Sequence, residues 1–269
     1  MSLRLYVIRH GTTEWSLSGQ HTGRSDIELS EKGKAEAKGI AARIHNIEFS
    51  EVLVSPLRRA RDTCDLAGLN RLARTEADLI EWDNGDYEGL TAKAIRESRP
   101  GWNVFRDGCP NGESPNEISV RVDRLIDSLT KMQGNVALFT HGHFGRSLAA
   151  RWIGQPVAFA QYLLLDTASV SVLCYHRDNQ EQPAILLWNS SSFELSDDLL
   201  IPTPQGQTEK PVAVAHPIER WENEGGEIPF HGVALSSIPT DKGGQTHLVE
   251  AYEEAGQSPE NTSTAPPVK

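Results

Sequence analysis

Short apolar runs and longer stretches of helical spacing succeed one another along residues 3–190 of this 269-residue chain. The run from Leu3 to Ile8 predicts a buried strand, since it is apolar, short and bracketed by polar residues. From Ser30 onward, Ala37, Ile40, Ala41 and Ile44 fall on one face of a predicted helix. Val52-Leu53-Val54 predicts a second buried strand. Ser55-Pro56 then reads as N-cap and first position of a helix that buries Leu57, Ala60, Cys64 and Ala67 and stops at Gly68. Strand, helix, strand, helix is the pattern of a parallel sheet covered by helices. The expected class is therefore α/β, a three-layer αβα sandwich around a mostly parallel sheet.

The stretch from Leu69 to Gly112 is less regular and carries no clear period. After it comes the strongest helix signal of the chain. Ser114-Pro115-Asn116-Glu117 forms a capping box with proline at the first position, and Ile118, Val122, Leu125, Ile126, Leu129 and Met132 continue at helical spacing to Gly134. Val136 to Phe139 predicts another buried strand, a helix runs through Leu148 and Trp152, and strands near Val170 to Cys174 and Ala184 to Leu187 complete the globular part.

Composition changes the picture beyond about Leu200. Residues 201–269 hold four basic and ten acidic side chains amid Pro, Gly, Ser and Thr, and lack the apolar area to offset their ordering entropy. Two regions are expected: a folded domain over 1–200 and a largely disordered acidic tail over 201–269. Within the tail, Pro217 to Glu224 can form one short helix that docks weakly on a partner through Ile218 and Trp221, or remain a solvated linker.

A net charge of −11 argues against a general binder of nucleic acid or anionic membrane. No apolar run reaches the length of a membrane span, and the first one is too short for a signal peptide. Cys64, Cys109 and Cys174 are far apart and in no metal-binding spacing, which favours buried free thiols and a cytoplasmic location.

Candidate chemistry gathers at strand exits. In a doubly wound sheet, ligands sit beyond the carboxyl ends of the strands. Three such ends deliver Arg9 and His10, then Arg59, then His141. Arginine suits phosphate because its planar fork makes paired charge-assisted bonds. Two arginines and two histidines around one point describe a phosphoryl pocket.

Arg9-His10-Gly11-Thr12, Ser55-Pro56-Leu57-Arg58-Arg59-Ala60, Glu81 four residues before Gly85, Asn111-Gly112-Glu113-Ser114 and Thr140-His141-Gly142 together resemble the histidine phosphatase superfamily, the phosphoglycerate mutase-like fold. The resemblance covers roughly residues 3–190. Within that family, the segments 81–89, 106–109 and 141–143 are most similar to the acid phosphatases and the sedoheptulose-bisphosphatase-like sugar phosphatases. The resemblance implies a phosphomonoesterase acting on small phosphorylated metabolites, with no cofactor and no metal. It implies that His10 attacks phosphorus and becomes a phosphohistidine, that Arg9, Arg59 and His141 hold the phosphoryl oxygens, and that Glu81 is the general acid. It further places Ser16, Thr22, Gly23, Arg106 and Gly142 among the substrate-binding positions. Ser16 departs from the family, many of whose members carry asparagine there.

Alternatives stand beside these expectations. Glu113 competes with Glu81 for the acid role, and Arg59 could merely neutralise Asp62 or Asp65. His143, two residues from His141, could support the site or bind metal. Arg24, Trp102, Arg106 and Arg146 are open between substrate contact and packing. A phosphoglycerate mutase is the second enzyme class. Against it, the doubled arginine that mutases carry after the catalytic glutamate is absent, with Arg99, Trp102 and Arg106 in that region instead. A third class is a catalytically dead protein that binds a phosphorylated ligand.

Overall fold

The computed structural model of the chain describes residues 2–176, 179 and 181–191. Among these, one sheet is built from β1 (Arg4–Arg9), β2 (Phe49–Val54), β3 (Ala73–Thr75), β4 (Asn135–Thr140), β5 (Val170–Tyr175) and β6 (Pro183–Ser190). Its order is β3-β2-β4-β1-β5-β6. The pairs β2–β3, β2–β4 and β1–β4 are parallel, whereas β5 runs antiparallel to β1 and β6 antiparallel to β5. The helices are α1 (Glu14–Ser18), α2 (Glu31–Ile44), α3 (Arg58–Leu66), α4 (Ala92–Ser98), α5 (Val104–Asp107), α6 (Pro115–Leu129) and α7 (Gly142–Trp152).

Successive side chains of a strand point to opposite faces, and both faces here are apolar, so the sheet must be covered twice. On one face Tyr6, Ile8, Val52, Val54, Ala137 and Phe139 pack with Ile40 and Ile44 of α2 and with Ala60 and Cys64 of α3. On the other, Leu5, Val7, Leu53, Val136 and Leu138 pack with Phe105 of α5, Ile118, Val122 and Leu125 of α6, and Phe144 and Leu148 of α7. This is the expected αβα sandwich. Cys64, Cys109 and Cys174 are buried within it, and none is in a disulfide.

The capping box of α6 forms as read, with Ser114 Oγ accepting the Glu117 N–H at 3.2 Å and Glu117 Oε2 accepting the Ser114 N–H at 2.9 Å. The start of α3 differs from the reading. Ser55 and Pro56 lie outside it, and Leu57 is the N-cap with no side-chain bond of its own. Ser55 has other work beside His141, described below. The irregular middle contains elements that periodicity did not reveal: β3, α4 and α5, all short. The tail 201–269, its docking through Ile218 and Trp221, and the boundary at 200 lie outside the described residues. Among the described residues no helix is long and apolar enough to cross a membrane.

One close approach fixes the turn after β1. A Cβ on Gly33 would meet Thr12 O at 2.0 Å, and one on Gly11 would meet Gly33 O at 2.4 Å. Both obstacles are backbone, so neither can swing aside. Gly33→Ala is expected to cost about 2–3 kcal/mol by overpacking, which for a domain of this size lowers Tm by about 5–10 °C. A calorimetric scan showing an unchanged Tm would mean that turn and helix can part without penalty.

Candidate active site

The centre of the sheet places three strand exits side by side. The register Arg9↔Thr140 sets His10, just past β1, beside His141, just past β4, and Val54↔Phe139 brings Ser55, just past β2, to the other side of His141. The rings of His10 and His141 are 5.2 Å apart between centroids.

The turn that carries His10 is pinned group by group. His10 N–H donates to Thr140 O at 3.0 Å and its carbonyl accepts the Ala168 N–H at 3.1 Å. Gly11 N–H donates to Thr63 Oγ1 at 3.0 Å, and Thr12 gives both its N–H and its hydroxyl to Glu36 Oε2, at 2.9 and 2.7 Å. His10 Nδ1 lies 2.7 Å from the carbonyl of Gly11. A carbonyl can only accept, so this contact selects the tautomer with hydrogen on Nδ1 and a lone pair on Nε2. Burial first, then the charges of Arg59 and Arg9, hold the His10 ring well below its usual pKa, outweighing the opposing effect of the Gly11 carbonyl. It is therefore neutral at pH 7.

His141 is neutral for related reasons, its pKa lowered by burial and then by Arg59, His10, Arg9 and Arg121. Its Nε2 is 2.7 Å from Ser55 Oγ, and Ser55 Oγ accepts the Leu57 N–H at 3.3 Å.

Arg59 comes from the first turn of α3 and is fully buried. Its Nη1 donates to Ser25 O at 2.8 Å and its Nη2 to Gly23 O at 3.0 Å and Thr22 O at 3.2 Å. The guanidinium thus ties α3 to the loop between α1 and α2. Burial lowers its pKa to about 10, partly opposed by Glu81, Asp26 and Glu88, so it stays charged at neutral pH. It is Arg58, not Arg59, that pairs with Asp62. Arg9 donates from Nη1 to Leu165 O, and its guanidinium lies against Gly142, where a Cβ would stand 3.2 Å from Arg9 Cζ.

Glu81 sits at the start of α7, which has no side-chain N-cap bond from His141. Its carboxylate takes the helix's first N–H groups, from Phe144 at 2.8 Å and His143 at 3.1 Å, as well as its neighbour Trp82 at 2.8 Å. Glu113 does not compete for that place. Its two oxygens are held by Arg121 at 2.8 and 2.7 Å, and the same Arg121 donates to the carbonyls of Asp78, Ile80 and Glu81. The pair works as a clamp on the segment that presents Glu81.

A cavity of about 500 Å³, including its mouth, opens beside these groups; Arg59 and His141, both fully buried, are not among the residues that line it. Of the residues singled out in the sequence, Arg9, His10, Ser16, Thr22, Glu81 and Gly142 line it, and His143 and Arg146 join them. Ser16 is there, but its hydroxyl donates to Thr13 O and accepts the Thr13 N–H, within a capping box at α1. Gly23 is corrected: its N–H is taken by the Glu88 carboxylate at 2.9 Å, so its amide faces a carboxylate and not the cavity. Arg106 is corrected as well. It is exposed, donates to Gly101 O at 2.7 Å and does not line the cavity. Arg24 is engaged with Asp83 and Glu113, and Trp102 is buried behind the wall.

The sequence reading missed His21, with its neighbours Gly19 and Gln20, all of which line the cavity. His21 is buried, and its pKa falls to about 3 through burial and then the proximity of His143 and Arg96. Nothing local announces it. A histidine in a polar loop becomes a wall only because the Gln20↔Thr91 bridge folds that loop onto Trp102.

A family model described as the histidine phosphatase superfamily (branch 1) matches residues 5–191. An acid phosphatase of Mycobacterium tuberculosis is 39% identical over 187 residues, spanning 68% of this chain and 91% of that protein. A sedoheptulose 1,7-bisphosphatase of Saccharomyces cerevisiae is 34% identical over 184 residues, spanning 56% of this chain and 68% of that protein. Among solved structures, that of a Mycobacterium tuberculosis open reading frame superposes with a TM-score of 0.67 at 34% identity, covering 71% of this chain and 99% of that one.

Proposed function

The chain belongs to the histidine phosphatase superfamily, branch 1, and on that premise we propose that it is a metal-independent phosphomonoesterase that hydrolyses small phosphorylated metabolites, sugar phosphates or bisphosphates, through a phosphohistidine. The names of its relatives, acid phosphatase and sedoheptulose 1,7-bisphosphatase, support the substrate class. One observation carries the chemistry. Beside the neutral His10, two buried nitrogens find no partner among the described residues, Arg59 Nε and His141 Nδ1. The first is an N–H donor by constitution. So is the second in the tautomer in which the Ser55 hydroxyl, already accepting from Leu57, gives its proton to His141 Nε2 and the ring carries its own proton on Nδ1. Buried donors without acceptors are costly to maintain, and phosphoryl oxygens are the acceptors that would satisfy them.

The steps follow from that arrangement. Nε2 of His10 attacks phosphorus in line while the bond from phosphorus to the ester oxygen breaks. Arg9, Arg59 and His141 stabilise the equatorial oxygens, whose negative charge rewards fixed donors. Glu81 gives a proton to the departing oxygen. Water then attacks the phosphohistidine with Glu81 as base, releasing phosphate and restoring Nε2. The cytoplasm is the proposed location, where three buried thiols would stay reduced.

The test is a phosphate-release screen over sugar mono- and bisphosphates, with and without chelator, joined to rapid quenching with phosphorus-labelled substrate. Activity that survives the chelator, with label held on the protein in base and lost in acid, is the expected result. Isomerised product without free phosphate would instead make the chain a mutase.

A further inference from the structure

The cavity has a second wall that the hydrolytic steps do not use. It is formed by Gln20, His21, His143 and Arg146, beside the reactive groups. His21 is fixed there from all sides. Its N–H donates to Leu90 O at 2.8 Å and its carbonyl accepts the Gly89 N–H at 2.9 Å. Its ring meets Trp102 edge-on at 5.4 Å and His143 at 5.4 Å, and Trp102 is itself held by Tyr87 at 5.2 Å and by the Gly108 carbonyl. Inside this frame, His21 Nε2 is buried and has no hydrogen-bond partner among the described residues. A preorganised ring that lines a cavity and holds one nitrogen unsatisfied at its buried side is a candidate partner for a ligand atom.

We propose that His21 is a specificity-determining residue whose Nε2 hydrogen-bonds a hydroxyl of the leaving group, so that the cavity selects phosphate esters of polyols over esters of hydrocarbon alcohols. This rests on the phosphomonoesterase reading and adds a substrate feature to it. The ring is neutral at working pH, as its lowered pKa requires. A neutral imidazole presents one donor and one acceptor, the same pair that a hydroxyl presents, whereas an anionic group needs donors alone. Arg146, the cation on this wall, gives Nε to Ala160 O and Nη2 to Gln161 O and lies over the Phe105 ring at 4.5 Å. Its charge is thus turned largely to the fold.

The experiment compares two esters of one carbon skeleton, glycerol 2-phosphate and isopropyl phosphate, which differ only in two hydroxyls. The readout is the ratio of their kcat/KM values. Wild type should favour the glycerol ester. His21→Phe, which keeps a ring against Trp102 but removes the nitrogen, should lower that ratio by about tenfold, the worth of one hydrogen bond. His21→Gln, whose amide nitrogen reaches the position of Nε2, should return it to within about threefold of wild type. A ratio unchanged by His21→Phe, or lowered equally by His21→Gln, overturns the subsite. Because hydrolysis of both esters is measured, a wild type inactive on each would instead bring down the phosphatase reading and the subsite with it.

Discussion

Replacing His10 by alanine or asparagine is expected to reduce phosphate release by at least about 10³-fold, because it removes the proposed nucleophile of the covalent intermediate. That corresponds to about 4 kcal/mol of lost transition-state stabilisation. The asparagine variant guards against a trivial outcome. Its side-chain amide can still donate to the Gly11 carbonyl that His10 Nδ1 meets at 2.7 Å, so the turn keeps its anchor while the nucleophile is gone. The remaining donors, Arg9, Arg59 and His141, should still hold inorganic phosphate, and added phosphate should still raise Tm in the variant. Activity within tenfold of wild type in both variants would be incompatible with a phosphohistidine and would move the attack to a water molecule.

The second large effect is acid destabilisation. His10, His21 and His141 are all held neutral in the fold, with His21 at about 3 and the other two well below the usual value. In the unfolded chain each titrates near 6.5. Above that pH neither state binds the protons, and the three rings contribute nothing to pH dependence. As pH falls below about 6.5 the unfolded state takes up protons that the folded state refuses, so stability is lost. Three such groups remove about 3 kcal/mol between pH 6.5 and 5.5 and about 2 kcal/mol more by pH 5.0, a large share of the total for a domain of this kind. Urea unfolding across that window measures it, and His21→Phe should flatten the slope by about a third. Activity should behave in the opposite sense. His10, the proposed nucleophile, stays unprotonated in the folded chain, so the acid limb of kcat, read at saturating substrate, should lie well below 6.5. A limb centred near 6.5 would show that the fold does not depress the His10 pKa.

Sequence and structure agree where local chemistry controls the chain. The strands after which His10 and His141 stand are short apolar runs, the α6 cap is a four-residue motif, and both are legible without a third dimension. The start of α3 was misplaced because Ser55-Pro56 reads as a helix start, while in the fold Ser55 Oγ is paired with His141, a partner 86 positions away. The middle was opaque for the same reason. The Glu81 segment has no period of its own and is shaped by Arg121, some forty positions later, through the carbonyls of Asp78, Ile80 and Glu81. In the candidate site, the residues on strand exits could be named because they follow apolar runs, whereas His21, which lines the cavity, could not, and Gly23 and Arg106 were assigned contacts where the structure pairs them with Glu88 and Gly101. Each of these depends on which distant loop a residue meets.

The two central imidazoles stand on hydrogen-bonded parallel neighbours, and adjacent strands keep a separation of about 4.8 Å whatever their side chains. That spacing is a ruler cut into the backbone, and the two rings it carries lie 5.2 Å apart. Directed evolution of this enzyme toward new esters should leave the ruler alone and collect its mutations in the 14–28 and 81–113 segments, where reach and shape can change without moving a strand.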